Sequence, residues 1–309
     1  MILAACPNPA LDVTYRVDRL VPGESHRVSQ VLQRPGGKGV NVAAVLHEAA
    51  ASVTATGIVG GASGAELACA LDELGVSHRF SHVAGATRRT VTVVAGDEAT
   101  VFNEPGPTVG IDEWRTFTEL FASLARDAAV VTLSGSLPAG LAVDAYAELT
   151  RLAHDQGVPV VLDCSGAPLV AALSAGPDVV KVNAEEAGAA VGRPAGTMSE
   201  TLSAALELRH MGAAECVVTR GAEGLVASTT AGDFGVTTGV PVAGNPTGAG
   251  DAFTAGLALG IEHDEHWLRR LRLAAGWAAG AVARPTAGSV DRAVAAHHQT
   301  SLTFQEITV

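Results

Sequence analysis

The chain has 309 residues, 48% hydrophobic and 17% charged, with a formal net charge of −12. That length suits one large α/β domain spanning 1–309 with an ample core, and the composition excludes a disordered chain. The acidic balance argues against nucleic acid and anionic membranes as partners, because both select basic surfaces. No apolar run reaches the ~18 residues of a membrane span.

In chain order, strands are predicted at 2–6, 53–59, 129–134, 159–163, 179–183 and 215–219, from short apolar, β-branched runs. Helices are predicted at 40–50, 65–74, 112–124, 143–156, 201–211, 249–259 and 266–283, from Ala/Leu-rich stretches. This alternation is the βαβ pattern of a parallel sheet covered on both faces. The first strand starts almost at Met1 and has no basic n-region, so it reads as core and not as a signal peptide, which gives a cytoplasmic location. Segments at about 11–34 and 87–103 alternate without a helix period and are expected to form a small antiparallel β-lid. Cys6, Cys69, Cys164 and Cys216 form no C-x-x-C pair and are expected to be reduced core residues.

Polar groups gather where strands end. Asp12 follows the first strand, at the sheet edge where open α/β folds bind ligands. Gly36-Gly37-Lys38-Gly39-Val40-Asn41 comes next. Its glycines let a backbone approach a ligand, and a helix starts directly after, so Lys38 and Asn41 are expected to face that ligand. The spacing is not that of a Walker A loop. Arg88 and Arg89 open the second lid segment, and alternation sends only one of them toward a shared ligand. Arg27 is assigned to the other lid segment. Gly57–Gly64 is glycine-rich but lacks the fingerprint of a dinucleotide site, which disfavours an oxidoreductase.

Further along, Ser136 lies in a turn after a central strand. Asn183 and Glu186 stand three apart after the strand that carries Lys181. That spacing suits either a hydrated Mg²⁺ near a nucleotide or a helix cap. Thr219, Gly221 and Gly224 end another strand with glycines suited to a nucleotide's approach. Gly248-Ala249-Gly250-Asp251 leaves backbone N–H groups open at a helix N-terminus, an anion hole with a carboxylate beside it. An aspartate there can accept a proton from an attacking hydroxyl, and phosphoryl transfer needs little more than alignment, charge neutralisation and a base. Of 20 basic residues only Lys38 and Lys181 are lysines, and both fall inside these motifs. The pair His297-His298 is expected to be solvated.

At these residues the chain resembles the ribokinase-like carbohydrate kinases, also called the phosphofructokinase-B family. G-G-K-G-x-N-x-A looks like the family's N-terminal signature and T-G-A-G-D-A-F like its C-terminal one. N-P-A-L-D, T-R-R-T-V, F-N-E-P-G-P and S-G-S-L-P look most like 1-phosphofructokinases and tagatose-6-phosphate kinases. The resemblance implies a three-layer αβα sandwich with a β-lid. It implies ATP and Mg²⁺ as cofactors and a sugar phosphate as substrate, fructose 1-phosphate first, with tagatose 6-phosphate or fructose 6-phosphate as alternatives. Asp251 would be the base, with Gly248, Ala249 and Gly250 lining the anion hole. Asp12, Gly37 and Asn41 would hold sugar hydroxyls, and Lys38 and Arg88, with Ser136, the sugar phosphate or the transferring phosphoryl group. Lys181, Asn183, Thr219, Gly221 and Gly224 would line the nucleotide site, with Glu186 near the metal. Lids of two copies would pair into a homodimer. A non-catalytic sugar-phosphate sensor is the rival of another class, and the intact Gly248–Asp251 run argues against it.

Overall fold

The computed structural model describes residues 1–96 and 98–308; Asp97, inside the second lid segment, and Val309 lie outside the described residues. The chain begins with β1 (Ile2–Cys6), the hairpin β2 (Ala10–Val17) and β3 (Gln30–Gly36), and α1 (Lys38–Glu48). Next come β4 (Val53–Gly60), α2 (Gly61–Leu74), β5 (His78–Val83), the hairpin β6 (Arg88–Ala95) and β7 (Glu98–Asn103), and α3 (Ile111–Ala125). Alternation resumes with β8 (Val130–Ser134), α4 (Ala145–His154), β9 (Val160–Asp163), α5 (Gly166–Leu173) and β10 (Val179–Asn183). Helices α6 (Ala184–Val191) and α7 (Met198–His210) lead to β11 (Glu215–Thr219), β12 (Leu225–Thr229) and β13 (Gly232–Thr238). The chain closes with α8 (Ala249–Glu262), α9 (Trp267–Val282), α10 (Arg292–Ser301) and β14 (Leu302–Glu306).

Ten strands make one sheet in the order β14-β13-β12-β11-β10-β9-β8-β1-β4-β5. From β11 to β5 every pairing is parallel. The pairs β11–β12, β12–β13 and β13–β14 are antiparallel. The two faces have separate cores, as the period of a strand requires. On β1, Ile2, Ala4 and Cys6 join the cluster packed with α1, α8 and α9, whereas Leu3 and Ala5 join the one packed with α3, α4, α5 and α7. The result is the expected αβα sandwich. Helix α7 begins three residues before the predicted start because Thr197 and Glu200 form a reciprocal cap.

Three expectations need correction. The lid is a four-stranded sheet, β3-β2-β6-β7, that is antiparallel only in its outer pairs. Its middle pair, β2–β6, is parallel, because each hairpin's first strand leaves the body from the same edge of the main sheet. Arg27 is not on a lid strand: it lies exposed in the irregular connection between β2 and β3, and Arg34 on β3 is the inward arginine. Cys6, Cys164 and Cys216 are buried, but Cys69 sits on the outer face of α2 and is exposed.

Candidate active site

Asp251 lies in the first turn of α8. The helix is entered through Gly248, whose φ of +84° is the left-handed conformation that glycine supplies cheaply. Gly248 is also pinned by Ala287, whose Cβ would stand 2.3 Å from any Cβ added there. The N–H of Ala249 is turned to the Pro246 carbonyl at 3.1 Å. The N–H groups of Gly248, Gly250 and Asp251 find no acceptor among the described residues, so they remain open donors at the start of the helix, whereas the Ala249 N–H, expected to join them, does not. A Cβ at residue 250 would stand 2.8 Å from Lys181 Nζ, so a side chain there would push on the lysine's bond to Asp163.

The Asp251 carboxylate is buried and accepts a hydrogen bond on Oδ2 from Asn41 Nδ2 at 2.8 Å. Burial pushes its pKa up to about 7, and nearby Asp163 adds to the rise, while Asn41, Lys181 and Lys38 oppose it. A carboxyl poised near neutrality suits a general base.

Beneath it lies a charge cluster that the sequence did not disclose. Asp163, at the end of β9, is fully buried and accepts from Lys38 Nζ (2.8 Å), Lys181 Nζ (2.9 Å) and Thr254 Oγ1 (2.9 Å). Burial alone would raise its carboxyl, but Lys181 and Lys38 override that and hold it well below the usual carboxylate range. Lys38 also approaches Glu186 Oε1 at 3.6 Å. Burial works against its charge, yet the attraction of Asp163 and Glu186 raises its pKa above that of a free lysine. An aspartate ending a central strand was the available signal for Asp163, the same signal that singled out Asp12.

Asp12 stands on β2. Its strand neighbours in register are Arg34 on β3 and Thr90 on β6. Burial raises its pKa, against the pull of Arg34, Thr90 and Arg88. Its carboxylate lies over Gly36, where a Cβ would stand 2.1 Å from Asp12 Oδ2. Gly37, at φ +93°, packs on Cys6 and Pro9 and starts α1. Arg88 is half-buried and donates from Nε to the Asn8 carbonyl at 3.2 Å, while Arg89 is exposed, as alternation predicts. Asn8 in turn donates to Ser136 Oγ at 3.2 Å.

On the other side of Asp251 opens a cavity of about 740 Å³. Its polar end holds Lys38, Lys181, Glu186, Gly250 and Asp251, and its apolar end is walled by Val242, Ala275, Ala278, Val282 and Leu302. Asn183, Thr219, Gly221 and Gly224 line it. Gly221, at φ +57°, meets open space, but Gly224 is glycine for another reason: a Cβ there would strike the Val236 carbonyl at 1.9 Å. His298 also lines the cavity and is buried, contrary to the solvated state expected of it. The Asn183–Glu186 pair forms a helix cap, with Asn183 Oδ1 accepting from the Glu186 N–H (2.8 Å) and Glu186 Oε2 from the Asn183 N–H (2.9 Å). One Glu186 oxygen, Oε1, still faces the cavity beside Lys38. Among the described residues no group of three or more His, Cys, Asp or Glu side chains is placed to hold a metal.

This geometry has close counterparts. The model of the pfkB family carbohydrate kinases matches residues 8–293. The phosphofructokinase-2 of Escherichia coli in complex with fructose-6-phosphate is 27% identical, superposes with a TM-score of 0.89, and is matched over 96% of this chain and 98% of that one. The possible 1-phosphofructokinase of Thermotoga maritima is 25% identical over 100% of both chains, with a TM-score of 0.90. The ribokinase of Arabidopsis thaliana complexed with ribose and ATP shares the fold, at 21% identity and a TM-score of 0.77 over 96% of this chain and 98% of that one. With its two signature motifs meeting at Asp251, the chain belongs to the pfkB family of carbohydrate kinases, which are ATP-dependent sugar kinases.

Proposed function

We propose that the protein transfers the γ-phosphoryl group of ATP to a hydroxyl of a hexose phosphate, with fructose 1-phosphate as the first candidate and fructose 1,6-bisphosphate as its product. One observation carries this reading. Asp251 is buried at the head of α8, beside unpartnered N–H donors, where the acceptor side chains meet a large, partly apolar cavity. The acceptor oxygen bonds to the γ-phosphorus as the bond to the β–γ bridging oxygen breaks, and ADP leaves. Asp251 takes the hydroxyl proton, and the Gly250 and Asp251 N–H groups meet the charge on the transferring group.

The sugar's phosphate is assigned to Arg88, with Ser136 and Asn8 at the same end, and sugar hydroxyls to Asp12 and Asn41. Lys38 was expected at the sugar phosphate or at the transferring phosphoryl group; its bond to Asp163 favours the second, where it would carry positive charge. The apolar end of the cavity suits the base of a nucleotide, and Gly221 its close approach. Mg²⁺ keeps most of its water and needs only one or two carboxylates. Glu186 Oε1 fits that modest demand and would hold the ion through water, where it would neutralise ATP phosphates.

Exposed Val31 and Leu32 on β3, with Val101 and Phe102 on β7, make the outer strands of the lid apolar and support a homodimer formed through the lid. No helix among the described residues is long and apolar enough to cross a membrane, which accords with a cytoplasmic location.

The test is ADP release from Mg-ATP with fructose 1-phosphate, tagatose 6-phosphate, fructose 6-phosphate and free fructose in parallel. A kcat/KM at least about tenfold higher for fructose 1-phosphate, worth roughly 1.4 kcal/mol, establishes the acceptor. Preference for another sugar moves the acceptor and keeps the chemistry. Binding without turnover on any of them would establish a sensor.

A further inference from the structure

Arg34 is a charged side chain close to Asp251 to which the proposed transfer gives no task. It stands opposite Asp12 in the β2–β3 register, near the end of β3. Its Nη2 donates to Asn41 Oδ1 at 3.2 Å, and Asn41 Nδ2 donates to Asp251 Oδ2 at 2.8 Å. The arginine is closely held from above by Gly288, whose φ is +77° and where a Cβ would stand 2.5 Å from Nη2. Arg34, Asn41 and Asp251 therefore form a relay across three separate elements, β3, α1 and α8.

The relay has a direction. A guanidinium carries only donors, so the carbonyl oxygen of Asn41 must face Arg34. That leaves the amide nitrogen facing Asp251. An amide N–H beside a carboxyl favours the ionised form, whereas an amide oxygen in its place would accept from the protonated form and favour that one. We propose that Arg34 is a positioning residue that fixes the amide of Asn41 and through it keeps Asp251 in the ionised state that a base requires. The proposal rests on Asp251 being the base of the transfer.

Other groups face Asp251, but they do not orient this amide. Asp163 from β9 disfavours its ionisation, while Lys181 from β10 and Lys38 from α1 favour it. Both lysines are bound to Asp163 and not to Asn41. Cys6 from β1 is a buried thiol whose own pKa is raised, chiefly by burial, and it stays neutral.

The test is a ¹³C NMR titration of the Asp251 carboxyl in the intact protein, assigned with Asp251→Asn, in four forms: wild type, Arg34→Met, Asn41→Ala and the double variant. The midpoint is expected to move to higher pH by about one unit in each single variant. The double variant is expected to move no further than Asn41→Ala alone, because the arginine acts through the amide. An unchanged midpoint in Arg34→Met overturns the proposal. So does an Arg34→Met shift that persists in full on the Asn41→Ala background, which would mark a through-space charge effect. Arg34→Lys, a milder change that keeps a pure donor, should stay closer to wild type than Asn41→Ala does. A lysine variant that moves as far as Asn41→Ala overturns the proposal even where the methionine variant does not fold. The titration is read without sugar or nucleotide, so its outcome is distinct from that of the kinase assay.

Discussion

Lys38 and Lys181 share one carboxylate, binding the two oxygens of Asp163 at 2.8 and 2.9 Å. Two cations meet one anion directly under the start of α8, and Glu186 lies 3.6 Å from Lys38 as a second carboxylate. Asp163 and Lys181 are buried while Lys38 is partly exposed, so the Lys181–Asp163 attraction is the one screened least by salt.

Removing Asp163 strands both ammonium groups. Breaking a buried ion pair typically costs about 3–5 kcal/mol, and Asp163→Asn is expected to fall in that range. Urea unfolding should show a lower midpoint at unchanged slope. The pH dependence has a definite sign. The Asp163 pKa is lowered on folding, so its contribution is present above the unfolded value of about 4 and lost as pH falls toward the folded one.

Asp251 has the opposite sign. Its folded pKa of about 7 exceeds the unfolded value, so its ionisation costs stability as pH rises from about 4 to 7. Asp251→Asn does not titrate. Its melting temperature relative to wild type should therefore be higher at pH 8 than at pH 5, by calorimetry. The same variant should lose roughly 10²–10⁴-fold in kcat, the usual weight of a general base, and wild-type kcat/KM should rise through pH 7.

The two neighbouring arginines of β6 separate position from charge. Arg88→Ala should raise the acceptor KM by roughly 10- to 100-fold, as expected when a charged donor is lost from an anion. Arg89→Ala removes the same charge from the exposed face of the strand and should leave KM within about twofold. Steady-state kinetics with fructose 1-phosphate would compare them.

Gly36→Ala tests placement without removing a polar group. The added methyl would overlap the Asp12 carboxylate, which must swing away. A misplacement of this size costs on the order of 10²-fold in kcat/KM. The clash involves only a side-chain end, and Gly36 has no positive φ, so the melting temperature should barely change.

Much of this was legible in the sequence where a local rule decides the structure. Apolar runs of four to eight residues gave the central strands to within a residue at either end. The glycines before Lys38 and Asp251 marked helix starts because a left-handed residue ends one element and opens the next. Long-range pairing was not legible. β14 joins β13 across the whole of α8, α9 and α10, and nothing local to residues 302–306 announces that neighbour. Asp163 looked like an ordinary strand end because its meaning lies in two lysines from distant segments. Asn183 and Glu186 fitted two chemistries at one spacing, and the structure shows the helix cap. Arg27 and Arg34 stand seven apart in one segment, and only the position of the β2–β3 connection decides which of them turns inward.

The parallel zipper between β2 and β6 runs over eight residue pairs, from Ala10↔Arg88 to Val17↔Ala95. It fastens together two hairpins that the chain makes about 75 residues apart, so neither can peel away alone without breaking that ladder. The two hairpins therefore form one plate, and a displacement that kept the ladder intact would move both together. Asp12, Arg34 and Arg88 ride on that plate, and Asn41 and Asp251 stay behind on helices. A plate that moved off the body would part Arg34 from Asn41 and carry Asp12 and Arg88 with it, so the Arg34–Asn41 contact ties the lid to the helices behind it.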